Sequence, residues 1–204
     1  MPKALSTVFA SALSVVASVA FSEAQTQPTT PSSPSPWFLV PANSSFESGD
    51  TWIAGGQRFQ LFGVQSCLRG AVFTNSFGQK RDCGDASMAV LISLIRDLKP
   101  ICYQAAQRPD IKTAYVFCFA TVAEGQAKGS RIDLGTAIIS MGYAFAAVRP
   151  DGQPVHLPYY GAQLVAQRDK KGLWAFPDAP DPNVAILRAY RLGHPVSPTT
   201  PSPQ

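Results

Sequence analysis

The chain has 204 residues, 46% of them hydrophobic, with Lys+Arg 17 against Asp+Glu 13 and a formal net charge of +4. That length allows one domain of ordinary size, and the apolar content suffices for a core, which excludes a wholly disordered chain. The charge is mildly basic and scattered, its longest run being Arg168-Asp169-Lys170-Lys171. It is compatible with a polyanionic partner, an acidic polysaccharide included, but lacks the one-sided clustering of a nucleic-acid binder, and a basic surface for solubility is the simpler account.

In chain order, Lys3 supplies a positive start, Ala4 to Phe21 is a small-residue apolar stretch, and Ser22-Glu23-Ala24 sets small residues at the −3 and −1 positions of a cleavage site. Residues 1–24 therefore read as a secretory signal peptide. The alternative is a retained membrane anchor, for which the stretch is long enough. Without a cysteine at the cleavage site, a lipoprotein anchor is not expected, and no second apolar run of spanning length follows. Residues 25–36, rich in Pro, Ser and Thr, cannot bury enough apolar surface to offset chain entropy and read as a tether. Residues 193–204 have the same character and read as a loose tail, which leaves 37–192 as the folded domain.

Within it, Thr51 to Ala54 and Arg58 to Val64 flank Gly55-Gly56, a two-residue hairpin signal. Phe59, Leu61 and Gly63 share one face of the second strand, and Arg58, Gln60 and Phe62 the other. Asp85 is a candidate N-cap for a helix whose Met88, Leu91, Ile92, Ile95 and Leu98 fall at helical spacing, with Pro100 marking its end. Ile101 to Ala105 and Tyr115 to Val122 read as strands joined by a polar loop containing Pro109. A second helix covers about Asp133 to Met141, with Gly142 after it. Tyr143 to Val148 is strand-like, and a third helix runs from Pro158 to Lys171. A last helical segment follows Asp181, with Pro182 in its first turn and Val184, Leu187 and Tyr190 apolar. Such an order argues for an α+β fold, mainly β with helices, and against a parallel α/β sheet.

Cys67, Cys83, Cys102 and Cys118 are an even set, which in an exported chain suggests two disulfides with three connectivities open. Zinc would want closer pairs.

The ordered pieces Ser48-Gly49-Asp50-Thr51, Arg58-Phe59-Gln60-Leu61-Phe62-Gly63-Val64-Gln65-Ser66-Cys67-Leu68, Tyr115-Val116-Phe117-Cys118-Phe119-Ala120, Ile132-Asp133-Leu134-Gly135, Gly142-Tyr143-Ala144 and Gly172-Leu173-Trp174-Ala175 carry a family likeness. In order and spacing they resemble the thermonuclease (staphylococcal nuclease-like) family, whose signature opens Asp-Gly-Asp-Thr and continues Arg-x-Arg-Leu-x-Gly-Ile-Asp-x-Pro-Glu. The resemblance covers most of Ser48 to Phe176. It implies an OB-fold five-stranded barrel with about three helices.

The same resemblance implies that the family's chemistry is gone. Active members supply two arginines, a glutamate and a calcium ion held by carboxylates. Position by position, the first arginine falls on Gln60, the calcium-binding aspartate on Gln65, the glutamate on Leu68 and the second arginine on Phe117. Of the calcium ligands Asp50 survives as a vestige, and the neighbouring acidic position is Ser48. Gln cannot replace a guanidinium's charge or its two-pronged grip on phosphate, and Leu and Phe offer neither charge nor a proton route. Each lost donor costs several kcal/mol in a barrier of this kind. No catalytic residue, metal or cofactor is therefore expected. Arg58, two residues from Gln60 on the same strand face, could act as a displaced arginine, although a solvent-facing strand arginine is the plainer reading. Arg58 and Phe62 are the candidate binding residues.

Because Cys67 takes the family's proline position near Cys83, and Cys102 and Cys118 lie on strands the family fold pairs, the resemblance implies the disulfides Cys67–Cys83 and Cys102–Cys118. Phe59, Phe62, Phe117 and Phe119 could form a stacking platform on a barrel face, with core packing claiming at least half of them. His156, two residues from Pro154 and Pro158, and His194, beside Pro195, read as surface residues. Gly125-Gln126-Ala127-Lys128-Gly129-Ser130 lacks the rest of a phosphate-loop pattern and reads as a turn.

Signal segment, Pro-rich tether and degenerate nuclease-like domain together resemble rhizobial succinoglycan biosynthesis proteins. That likeness implies a periplasmic or secreted protein with an accessory role in making or exporting an acidic exopolysaccharide, with the polysaccharide or envelope biosynthesis proteins as partners and nucleic acid unlikely as one. OB barrels bind oligosaccharides as well as oligonucleotides, so the idea is physically admissible. The alternatives are a secreted calcium-dependent nuclease with a rearranged site and an assembly subunit of an envelope complex.

Overall fold

The structure, a computed structural model, describes residues 36–193 apart from 124, 126 and 127. The signal segment, nearly all of the tether, His194 and the tail beyond it lie outside the described residues. Eleven strands and four helices are described: β1 (Trp37–Leu39), β2 (Ser45–Phe46), β3 (Thr51–Ala54), β4 (Gln57–Leu61), β5 (Val64–Ser66), β6 (Val72–Thr74), β7 (Lys80–Asp82), α1 (Cys83–Leu98), β8 (Ile101–Arg108), β9 (Thr113–Thr121), β10 (Arg131–Asp133), α2 (Leu134–Ser140), β11 (Ala144–Ala146), α3 (Leu157–Arg168) and α4 (Pro182–Arg191).

The main sheet runs β1-β8-β9-β4-β3-β2, with β10 as a seventh strand on β9. Its pairs are antiparallel except β4 with β9, where Arg58 to Leu61 lie beside Thr113 to Val116 in parallel. The first half of β9 pairs with β4 and its last three residues with β10, so one edge serves two partners and the sheet curls into a half-barrel. The fold is mixed α+β and consistent with an OB-like arrangement. Among the described residues the strands outnumber the five expected: the main sheet alone has seven, and β5 with β11 and β6 with β7 form separate two-stranded sheets.

Period-two alternation sets the core. On β9, Ala114, Val116, Cys118 and Ala120 are buried while Tyr115, Phe117 and Phe119 are half-exposed on the other face. Inside the curl, Trp52, Leu61, Val64 and Val116 meet Leu91 and Ile95 of α1 and Leu134, Ile138 and Ile139 of α2. Phe59 joins this core, with its ring 5.0 Å from Phe38 and 5.9 Å from Trp52. A smaller cluster of Cys67, Phe73, Cys83, Phe145 and Leu173 lies beside it.

Several expected boundaries move for physical reasons. The strand expected from Arg58 to Val64 breaks at Phe62-Gly63. Phe62 still donates its N–H to Val116, but the chain then turns to give β5 a different partner, β11. Helix α1 is capped by Asp82, whose carboxylate accepts from the Asp85 N–H at 3.0 Å. Asp85, the expected cap, lies in the first turn against Arg69 at 3.0 Å. The earlier start puts Cys83, Ser87, Leu91 and Ile95 on one buried stripe at four-residue spacing. The second and last helices begin where the sequence set them, capped by Asp133 and Asp181, and the Gly55-Gly56 turn, with φ of 57° and 77°, stands at its expected place. The fourth helix is fully formed. In the β9–β10 connection the Gly129 N–H meets the Val122 carbonyl at 2.9 Å, and Gln126 and Ala127 of the expected turn lie outside the described residues.

Cys67 is bonded to Cys83 and Cys102 to Cys118, each across a sequence separation of 16, and no free cysteine remains among the described residues. Two disulfides are typical of proteins of oxidising, extracytoplasmic compartments. No helix among the described residues is long and apolar enough to cross a membrane.

Candidate functional site

The turn into β3 delivers Asp50 to the seam between the main sheet and β5. Its carboxylate is 3% exposed, and it accepts from five neutral donors. Oδ1 takes the Ser48 hydroxyl, the Thr51 hydroxyl at 2.9 Å and the Ser66 hydroxyl at 3.3 Å. Oδ2 takes the Gln60 amide and the Ser66 backbone N–H, each at 3.2 Å. A carboxylate offers about four lone-pair sites, so this one is saturated.

The other positions that the resemblance equates with catalytic ones are dispersed. Gln60, at the first arginine position, faces Asp50 and spends its donor there. Gln65, on β5, turns its amide to the Ser66 carbonyl at 3.0 Å. Leu68 is half-buried, and its carbonyl accepts the Ala71 N–H at 3.2 Å, beside the Cys67–Cys83 bond. Phe117 stands in a cluster of rings. Arg58 is not a bare solvent-facing side chain. Its Nε contacts Glu47 at 2.6 Å and its guanidinium donates to the buried Thr113 hydroxyl at 3.0 Å, so its charge is already neutralised.

Calcium wants six or more oxygens with several charges among them. Here the Asp50 carboxylate is already taken up by neutral donors, and no three of His, Cys, Asp and Glu gather among the described residues. The residues present do not fit such an ion.

The outer face of β8 and β9 carries the second feature. Tyr103 lies opposite Phe117, and Ile101 opposite Phe119. The Tyr103 ring is 4.9 Å from Trp37, 5.7 Å from Phe117 and 6.3 Å from Phe119, with which it is parallel within 2°. Phe117 extends the array to Phe62 at 5.1 Å and His156 at 5.6 Å, and Phe62 reaches Tyr115 at 6.3 Å. At the other end Arg131, on β10, lies 5.5 Å from the Phe119 ring centre and 5.9 Å from that of Trp37. Phe62, Phe117 and Phe119 of the four phenylalanines stand in this array, while Phe59 and Phe117 both pack against the main core, the half that core packing was expected to claim. His156 departs from its expected surface role: it is half-buried at the start of α3, against Phe117 and, at 4.5 Å, Tyr159. Burial, with the nearby Asp133 carboxylate, pushes the Tyr159 phenol well above its usual range.

Ser66, Tyr103, Tyr115 and Trp37 escaped the sequence reading as site residues. The Tyr-x-Phe-x-Phe alternation at 115–119 was a usable signal for the face. Nothing local signals that Ser66 donates to Asp50, since the contact depends on a chain turn sixteen residues away. No model of a known protein family matches this chain, and no curated protein matches it.

Proposed function

We propose that this is an exported, non-catalytic protein on a staphylococcal nuclease-like OB barrel, acting in the periplasm or outside the cell as an accessory in the biosynthesis or export of an acidic exopolysaccharide of the succinoglycan type. The observation that carries the loss of catalysis is the Asp50 carboxylate, closed by five neutral hydrogen bonds. Hydrolysis of a phosphodiester needs preorganised positive charge where the transition state gains negative charge. Gln60, Gln65, Leu68 and Phe117 supply none, and Arg58, on the same strand as Gln60, is held by Glu47. The polymer reading is supported by the sequence layout, by the excess of basic over acidic residues and by the disulfides typical of the outer compartments.

Two measurements test it. Purified protein incubated with labelled single-stranded DNA is expected to leave it intact with calcium and with EDTA alike. Calcium-dependent cleavage that Asp50→Ala abolishes would refute the non-catalytic reading. Deleting the gene in its host is expected to lower the acidic polysaccharide in the medium, with recovery on re-expression. Unchanged polymer yield would refute the accessory role.

A further inference from the structure

We infer that the aromatic face of β8, β9 and β10 is a saccharide-binding site for a sparsely charged acidic polysaccharide, with Tyr103, Phe117 and Phe119 stacking on the sugar rings and Arg131 receiving the acid group. This rests on the reading proposed above and goes beyond it by assigning the site.

The face is a continuous patch. Phe62, Phe117, Tyr103 and Phe119 link ring to ring at 5.1, 5.7 and 6.3 Å. All four are half-exposed, and Phe117 also packs against the core at its inner edge. Tyr103, Phe117 and Phe119 alternate along their strands with buried residues, so the backbone fixes their spacing. Leu39 and Ile101, 60% and 39% exposed, extend the apolar surface at one edge. Half-exposed aromatic rings held on a sheet are a surface that loses little entropy on binding. The apolar C–H face of a pyranose is a matching surface for such rings.

The cation chooses among ligands. Arg131 is exposed and makes no ion pair among the described residues, while its guanidinium sits over Phe119. An arginine held on a ring keeps its donors available to an oxyanion. Of the arginines on neighbouring strands, Arg58 is spent on Glu47 at 2.6 Å and Arg108 on Asp110 at 2.6 Å. Asp133, opposite Phe119, caps α2 through the Thr136 N–H at 2.7 Å. A single-stranded nucleic acid carries a phosphate at every residue and needs a groove of repeated Lys and Arg along its backbone. Among the described residues the exposed Lys99, before β8, and Lys128, in the β9–β10 connection, flank the strands singly and not as a run. One arginine held over a row of rings, with single lysines set apart in the chain, suits instead a polymer with an acid group once in several sugars.

The test is isothermal titration of the full mature chain with three probes: the succinoglycan repeat-unit oligosaccharide, the same oligosaccharide with its carboxyl groups reduced, and oligo(dT). Wild type is expected to bind the acidic oligosaccharide best. Arg131→Gln, an exposed change that leaves the fold alone, is expected to lose about tenfold on the acidic probe, as for one charged hydrogen bond, and nothing on the reduced one. Tyr103→Leu keeps the apolar bulk against the sheet and is expected to weaken both. Phe77→Ala, at a hairpin tip where Phe77 is 84% exposed, is expected to change neither. Binding that survives both Arg131→Gln and Tyr103→Leu overturns the site while leaving the accessory role standing. Wild type that binds neither saccharide overturns both. Tighter binding of oligo(dT) overturns the choice of ligand.

Discussion

Replacing Asp50 by alanine separates a finished structural carboxylate from one waiting for a metal. If the five donors are its partners, their loss is felt at once and without calcium. The three hydroxyls and the half-buried Gln60 amide can turn to other acceptors, but the Ser66 N–H is fixed by β5 and buried. An orphaned buried donor costs about 1–3 kcal/mol, and loss of bonds to a charged acceptor adds a comparable amount. Relief from burying the charge offsets part of this. The net expectation is a destabilisation of about 3 kcal/mol. At an m-value of about 2 kcal/mol/M in urea this lowers the midpoint by about 1.5 M. Asp50→Asn keeps one carbonyl acceptor but points an amide at the Gln60 and Ser66 donors, and should fall between. Urea unfolding followed by tryptophan fluorescence, with and without millimolar calcium, reads the effect. The reasoning is refuted by an Asp50→Ala protein as stable as wild type or more so without calcium, combined with a wild-type midpoint that calcium raises. Binding of that kind would stabilise only the protein with the carboxylate.

Replacing Cys102 and Cys118 together by alanine should cost about 3 kcal/mol from loop entropy, seen as a lower urea midpoint under oxidising conditions; serine at the same two fully buried positions should cost more, since the hydroxyls find no water there. Gly142→Ala should be strongly destabilising, because φ is 77° and a Cβ would meet the Lys171 carbonyl oxygen at 2.1 Å, whereas Gly161→Ala on exposed α3 meets nothing and should gain about 0.5–1 kcal/mol in thermal unfolding. Asp181 caps α4 from a site where burial raises its carboxyl above the ordinary range. The folded chain thus binds that proton more readily than the unfolded one, and the ionised cap is a penalty present above the raised folded value. Asp181→Asn, an equivalent cap, should therefore be more stable than wild type at neutral pH. Its advantage should shrink as pH falls through the carboxylate range and vanish below the unfolded value.

What the sequence made legible was whatever a short window determines. The Gly55-Gly56 turn, the starts of the second and last helices near Asp133 and Asp181 and the apolar spacing of α1 each depend on a few neighbours, and they stand as read. The break at Phe62-Gly63 and the short strands β6, β7 and β10 were not legible, because their partners lie elsewhere in the chain and pairing overrides propensity. The candidate site divides in the same way. That Gln60 and Phe117 bring no positive charge follows from residue type alone. That Gln60 completes the shell of Asp50, and that Phe117 sits between Tyr103 and Phe62, follows from strand register. Phe59 and Phe62 differ in fate by one face of one strand, and Phe62 is where that strand ends.

The shell of Asp50 and the aromatic row share one energetic feature. A site poised for catalysis keeps buried polar groups short of partners until substrate or metal arrives, and it loses stability by doing so. Gln60 instead gives the Asp50 carboxylate a neutral donor, and Ser66 and Ser48 take up further lone pairs. Phe117 packs against Tyr103, Phe62 and His156. Both arrangements lower the local energy of the ligand-free fold. At the far end of the aromatic row stands Arg131, exposed and in no ion pair among the described residues. On the reading proposed above, that arrangement suits a binder of weakly charged polymer better than a nuclease, because the five donors on Asp50 are all neutral.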